Sequence, residues 1–231
     1  MFLDLDGTLL EIAARPEEVV VDNSLKKLLT RLLQSLSGRV AVVSGRPAAE
    51  VRDLLGLRDL AIAGSHGAES SFAGETDAPP AEPAPPPHLR EELRRLAERH
   101  PGVLIEAKPF GLAIHYRLAP SAAEACLTLA QDIAAAEGFE LQPGKMVVEI
   151  KYHRYDKGDA VRLFMARAPM RHGRPLFIGD DLTDEAGFAV ARALGGTGIL
   201  VGPPRKTYAT YGLDDVGQAL RWLSQSDAVA R

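Results

Sequence analysis

The chain has 231 residues, 46% of them hydrophobic and 25% charged, the balance of an ordinary soluble globular protein with one large domain or a core plus a smaller one. A formal charge of −4 without a basic stripe argues against nucleic acid as the main partner. No apolar run approaches the roughly 20 residues that cross a bilayer, so no membrane role is expected.

The start of the chain shows neither a basic n-region nor a cleavage site, and the single cysteine, Cys126, permits no intrachain disulfide. A reducing, cytoplasmic setting is the expectation. Cys126 lies in an apolar helical pattern and reads as a small core residue. The six histidines show no zinc-type spacing.

Met1-Phe2-Leu3 reads as a short buried strand that delivers Asp4 and Asp6 into a loop with Gly7 and Thr8. Side chains two apart leave a strand on one side, so the carboxylates stand together. Anions that close need a divalent cation or raise each other's pKa. A carboxylate beside bound Mg²⁺ can also attack phosphorus. A plain Asp-Gly turn, a calcium loop and the Asp-x-Asp of a glycosyltransferase compete with this reading, although Gly7 comes too early for an EF-hand and its Glu is missing.

Leu25 to Leu36 has helical periodicity, and Arg39 to Val43 reads as a buried strand. Ser44-Gly45-Arg46 follows, where the Ser44 hydroxyl suits either a phosphate or a helix cap. Pro47 then opens a helix to about Leu55, and Leu60 to Ala63 is a further strand. Strand–helix alternation predicts a Rossmann-like, doubly wound parallel sheet in an α/β core.

Residues 79–87 are rich in proline and read as an extended, semi-rigid tether of about 3 Å per residue. Beyond it the pattern is helix–strand–strand, twice: His88–Arg99, Val103–Ala107 and Leu112–Arg117, then Ser121–Glu137, Phe139–Gln142 and Met146–Ile150. This predicts a smaller α+β cap at 77–152, inserted in a core of 1–76 and 153–231. Its crossings, near Ala73–Pro87 and Tyr152–Tyr155, are candidate hinges.

Alternation resumes with a helix over Asp156–Ala168, a strand over Leu176–Ile178, a helix over Thr183–Ala193, a strand over Gly198–Val201 and a last helix near Asp215–Ser224. Lys157 opens the first of these, with Asp156 as its cap; a cation there opposes the helix dipole unless an anion offsets it. The strand ending at Ile178-Gly179 runs into Asp180, Asp181 and Asp184, oxygen donors suited to Mg²⁺. All these groups lie where core strands end, the place where open α/β sheets bind ligands.

Asp4-x-Asp6-Gly7-Thr8, Ser44-Gly45-Arg46, Lys157-Gly158 and Gly179-Asp180-Asp181 resemble, in this order, the four motifs of the haloacid dehalogenase superfamily of phosphatases. The resemblance implies Asp4 as nucleophile, Asp6 as general acid and base, and Ser44 and Lys157 on the phosphoryl oxygens. It implies Mg²⁺ on Asp4, the Asp6 carbonyl and Asp180, with Asp181 and Asp184 as outer support.

Gly64-Ser65-His66-Gly67-Ala68-Glu69, Glu106-Ala107-Lys108-Pro109, Ile114-His115-Tyr116-Arg117, the segment Gly144–Lys151 and the tail Thr207–Asp215 are similar to the trehalose-6-phosphate phosphatases. That likeness implies a sugar phosphate as the small-molecule substrate and a functional link to a trehalose-phosphate synthase. The positions implied for substrate binding are Lys145 and Glu149, with Glu106, Lys108, His115, Arg46 and His66. Sucrose-phosphate and mannosyl-phosphoglycerate phosphatases of the same fold are alternatives, as is a non-catalytic sugar-phosphate-binding module.

Overall fold

In the computed structural model, the described residues are 1–12, 19, 21–74, 87–108, 111–137, 139–151 and 155–226. Residues 79–86 of the 79–87 tether and residues 152–154 of the second crossing lie outside them, while Pro87, read as the tether's last residue, opens a helix. The chain divides into two compact units, Met1–Ala78 with Tyr155–Arg231, and Pro79–Arg154.

The first unit is built on a seven-stranded sheet. In chain order its elements are β1 (Phe2–Leu3), α1 (Asn23–Ser35), β2 (Ala41–Val43), α2 (Ala48–Leu55), β3 (Ala61–Gly64) and β4 (Glu69–Ser71). After the insertion come α5 (Lys157–Met165), β9 (Leu176–Gly179), α6 (Glu185–Ala193), β10 (Thr197–Val201), β11 (Tyr211–Leu213) and α7 (Val216–Ser226). The order across the sheet is β11-β10-β9-β1-β2-β3-β4, parallel except for β4, which runs antiparallel to β3.

Alternation along the strands feeds two apolar layers, as expected of a sheet covered on both faces. Leu3, Val42, Ile62, Ile178 and Ile199 point to one layer with Leu25, Leu29 and Leu32 of α1, Val51 and Leu55 of α2 and Leu223 of α7. Phe2, Ala41, Val43, Ala63, Phe177 and Leu200 point to the other, with Val161 and Phe164 of α5 and Phe188 of α6.

The second unit holds α3 (Pro87–Arg99), β5 (Leu104–Lys108), β6 (Gly111–His115), α4 (Ala123–Glu137), β7 (Glu140–Gly144) and β8 (Val147–Lys151). Its antiparallel sheet has the order β5-β6-β8-β7. Leu112, Ile114, Val148 and Ile150 pack against Leu93 and Leu96 of α3 and Cys126 and Ile133 of α4. Burial pushes the Cys126 thiol pKa up, as befits a core residue.

Several boundaries differ from the sequence reading. The helix after Asp156 ends at Met165 rather than Ala168, and the one expected from Thr183 begins as a 3-10 turn, Leu182–Asp184. β4 and β11, three residues each, have no counterpart in the sequence reading. Among the described residues no helix is long and apolar enough to cross a membrane.

Candidate active site

β1 lies between β2 and β9, with Leu3 in register with Val42 and with Ile178. Parallel pairing therefore brings Asp4, Ser44 and Asp180, which follow these strands closely, to one edge of the sheet. The Asp4 N–H still donates to the Ile178 carbonyl at 2.9 Å, and the Ser44 N–H to the Ala63 carbonyl at 2.8 Å. Gly7 adopts φ +91°, and a β-carbon there would lie 2.3 Å from an Asp180 carboxylate oxygen. Only glycine lets the first loop come so near that carboxylate.

α5 supplies the cation. Asp156 caps it through a reciprocal box with Asp159, accepting the Asp159 N–H at 2.9 Å. Lys157 is buried, and its Nζ donates to Asp4 Oδ1 at 2.6 Å and to Asp184 Oδ1 at 2.7 Å. These anions offset the opposition between an ammonium and the helix N-terminus. Thr8, which sequence reasoning placed only in the turn, has its hydroxyl 3.3 Å from Asp4 Oδ2 and 3.4 Å from Asp180 Oδ1.

Burial drives the Asp4 pKa well above the ordinary carboxylate range; Lys157 opposes this, while Asp184 and Asp180 add to it. Burial pulls the Lys157 pKa down, but the pairs with Asp184 and Asp4 outweigh it and leave it raised. Asp4, Asp180 and Asp184 offer carboxylate oxygens within 4.8 Å of one another, a donor set suited to a divalent cation. Asp184 Oδ2, however, accepts the Asp180 and Asp181 N–H groups at 2.8 and 2.9 Å, and its Oδ1 accepts Lys157. Both Asp184 oxygens thus accept from protein donors, as Asp4 Oδ1 does from Lys157. The Asp181 side chain turns back to the Leu182 N–H at 2.7 Å.

Asp6 is gripped from a different element. Arg46 Nε and Nη2 donate to its two carboxylate oxygens at 2.7 and 2.8 Å, and Arg46 Nη1 pairs with Glu50. The fork fixes a carboxylate in plane and orientation. Ser44 is not the cap of α2: that position belongs to Pro47, and the Ser44 hydroxyl accepts the Arg46 N–H at 3.1 Å. His66 is buried with its ring against Gly45, where a β-carbon would lie 2.7 Å from Nε2.

In the second unit, Glu106, Lys108, His115 and Glu149 share the sheet face opposite the helices. His115 Nε2 lies 2.8 Å from Glu106 Oε2, and Lys108 pairs with Glu149. Burial raises the Glu106 pKa, but the hydrogen bond from His115 and the charge of Lys108 more than reverse this and leave it lowered. Lys145 sits instead in the exposed turn between β7 and β8, and its carbonyl accepts Arg117 Nη2 at 2.9 Å. Gln142 and Lys151, absent from the sequence-based set, join this face, Lys151 Nζ donating to Gln142 Oε1 at 3.3 Å. The period of two from Glu149 to Lys151 was the available signal.

A family model described as trehalose-phosphatase matches residues 2–216. The trehalose-6-phosphate phosphatase of Escherichia coli K12 is 39% identical over 96% of this chain and 84% of its own length. A probable trehalose-phosphate phosphatase of Sinorhizobium fredii is 40% identical over 96% and 85%. Among solved structures, a trehalose-6-phosphate phosphatase related protein superposes with a TM-score of 0.79 at 27% identity, covering 99% of this chain and 96% of that one. The C-terminal domain of the Candida albicans trehalose-6-phosphate phosphatase shares the fold, with a TM-score of 0.85 at 22% identity over 98% and 91%. With the family match spanning most of the chain and the bacterial relatives aligned almost end to end, the chain belongs to the trehalose-phosphatase family.

Proposed function

We propose that the protein hydrolyses trehalose 6-phosphate to trehalose and inorganic phosphate, in the cytoplasm, with Mg²⁺ as cofactor and a trehalose-phosphate synthase as the source of its substrate. The observation that carries the reading is the buried Lys157–Asp4 pair at the end of the central strand. A carboxylate there can face phosphorus while the same ammonium reaches a phosphoryl oxygen.

Asp4 attacks phosphorus, the ester P–O bond breaks, and Asp6, which enters this step protonated with one oxygen released by Arg46, gives its proton to the departing sugar oxygen. Asp6 then takes a proton from water, whose oxygen attacks phosphorus; the P–O bond to Asp4 breaks and phosphate leaves. Ser44 and Lys157 hold phosphoryl oxygens through both steps, and Arg46 keeps Asp6 oriented. Mg²⁺ held by Asp4, Asp180 and the Asp6 carbonyl would neutralise phosphoryl charge. The inserted unit, 77–152, acts as a cap whose Glu106, Lys108, His115 and Glu149 read sugar hydroxyls. Lys145, in the turn between β7 and β8, joins them as a further sugar-binding group, and Lys108 pairs with Glu149.

The test is phosphate release from a panel of sugar phosphates, with Mg²⁺ and with chelator, for the wild type and Asp4→Asn. Strong metal-dependent preference for trehalose 6-phosphate, lost in Asp4→Asn, supports the proposal. Preference for sucrose or mannosyl-glycerate phosphates overturns the substrate, substantial turnover by Asp4→Asn the covalent step, and silence of the folded wild type the enzyme.

A further inference from the structure

Helix α2 begins without a cap of its own: Pro47 holds the N-cap position and has no side chain able to accept a hydrogen bond. The acceptor comes from 21 residues away, where Glu69 Oε2 takes the Ala48 N–H at 3.1 Å. The other Glu69 oxygen accepts the Ser65 hydroxyl. A carboxylate at this end also suits the helix dipole. Glu69 reaches the helix because β4 turns back along β3, placing it opposite Gly64.

The loop that Glu69 closes is strained and tightly wedged. Ser65 and His66 have φ of 48° and 57°, a left-handed pair without glycine. Such residues are strained and persist only where their surroundings hold them. The loop in turn holds the segment Ser44–Arg46: the His66 N–H donates to the Ser44 carbonyl and the Ser65 N–H to the Arg46 carbonyl, both at 2.9 Å. A β-carbon on Gly64 would lie 2.2 Å from the Ala48 nitrogen, and one on Gly67 would lie 2.5 Å from the Asp156 carbonyl oxygen. The loop therefore abuts both the Ser44 segment and the residue that caps the helix of Lys157.

We propose that Glu69 is a positioning residue for phosphoryl binding: by tying Ser65 to the start of α2 it holds the Ser65–His66 backbone against the Ser44 segment and fixes where the Ser44 hydroxyl meets a phosphoryl oxygen. This rests on the assignment of Ser44 above. Glu69 acts through Ser44 and touches no substrate.

The test is a double-mutant cycle of Glu69→Ala with Ser44→Ala, measuring kcat and KM on trehalose 6-phosphate and on p-nitrophenyl phosphate, with melting curves for each variant. Glu69→Ala should lower kcat/KM by about tenfold to hundredfold on both substrates, the range expected when a catalytic geometry slips by an ångström. In the Ser44→Ala background the further loss should shrink to less than about threefold, because contacting residues that act as one are not additive. Glu69→Gln, which keeps an acceptor for Ala48, should recover most of the activity.

An equal loss in both backgrounds, or wild-type kcat/KM in folded Glu69→Ala, overturns the inference. Should Glu69→Ala not fold, Ser65→Ala replaces it in the cycle under the same criterion. Wild-type activity in Ser44→Ala would overturn the Ser44 assignment itself, whereas an impaired Ser44→Ala with an additive cycle overturns only the role of Glu69.

Discussion

Asp4→Asn should make the metal-free protein more stable while removing its response to Mg²⁺. Asp4 faces two other carboxylates within 4.8 Å, and like charges at that separation repel by about 3.5 kcal/mol each at an effective dielectric of about 20. Its pair with Lys157 at 2.6 Å returns about 6 kcal/mol on the same scale. These terms nearly cancel, so the several kcal/mol typically lost on burying a carboxylate decides the sign.

The raised pKa of Asp4 agrees: a folded value above the unfolded 3.8 means that, without metal, stability is lost as pH climbs from 3.8 through the folded value. Asparagine carries no such charge and keeps an acceptor for Lys157. After relaxation and partial protonation of Asp4, a net gain of about 1–2 kcal/mol, or about 2–6 °C in Tm, is expected for a chain of this size. Thermal melts by circular dichroism in chelator, repeated with rising Mg²⁺, measure both effects. The wild type should gain about 2.7 kcal/mol at a hundred times Kd, and the variant, short of a ligand, much less. A variant melting at or below the wild type in chelator, or showing the same Mg²⁺ shift, would refute the reasoning.

Arg46→Ala should leave Asp6 unsteered and cut kcat about tenfold to hundredfold with little change in KM, with partial rescue by lysine; unchanged kcat would remove Arg46 from the mechanism. Glu149→Ala should damage turnover of trehalose 6-phosphate far more than that of a small aryl phosphate, and equal losses would make Glu149 structural. Because the Glu106 pKa is lowered, its stabilising contribution is present above the unfolded value of 4.5 and disappears as pH falls through the folded value. Urea melts from pH 7 to pH 3 should therefore decline less steeply for Glu106→Gln, and parallel profiles would contradict this. Gly187→Ala would put a β-carbon 2.5 Å from the Phe177 ring and should cost about 1–3 kcal/mol without altering kcat per folded molecule; an unchanged Tm would show that the ring can yield.

The core strands were legible because their signal is local. Val40 to Val43 is apolar throughout, as a strand covered on both faces must be, and the residue after each such run could be matched to a motif. Parallel pairing gathers Asp4, Ser44 and Asp180 at one edge of the sheet, while Lys157, matched through the family resemblance, enters from the start of α5. β4 and β11 escaped notice because three residues, polar in Glu69-Ser70-Ser71, carry no periodicity to read; pairing with β3 and β10 makes them strands. The grip of Arg46 on Asp6 joins residues 40 apart and left no trace in spacing either.

Lys145 and Glu149 show the limit most plainly. The family resemblance named both as sugar-binding positions, and nothing in their spacing said which protein groups either would meet. Here the chain turns between them, and Glu149 finds Lys108, 41 residues away. Two features of β6 make the reach possible: Gly111 pairs with Lys108, and Ala113 pairs with Glu149. On the intervening strand, neither residue offers a side chain large enough to separate the ammonium of β5 from the carboxylate of β8. The partner of Glu149 is thus set by register and by what the middle strand leaves out, so a bulky residue at Ala113 should part Lys108 from Glu149 as surely as removing either charge.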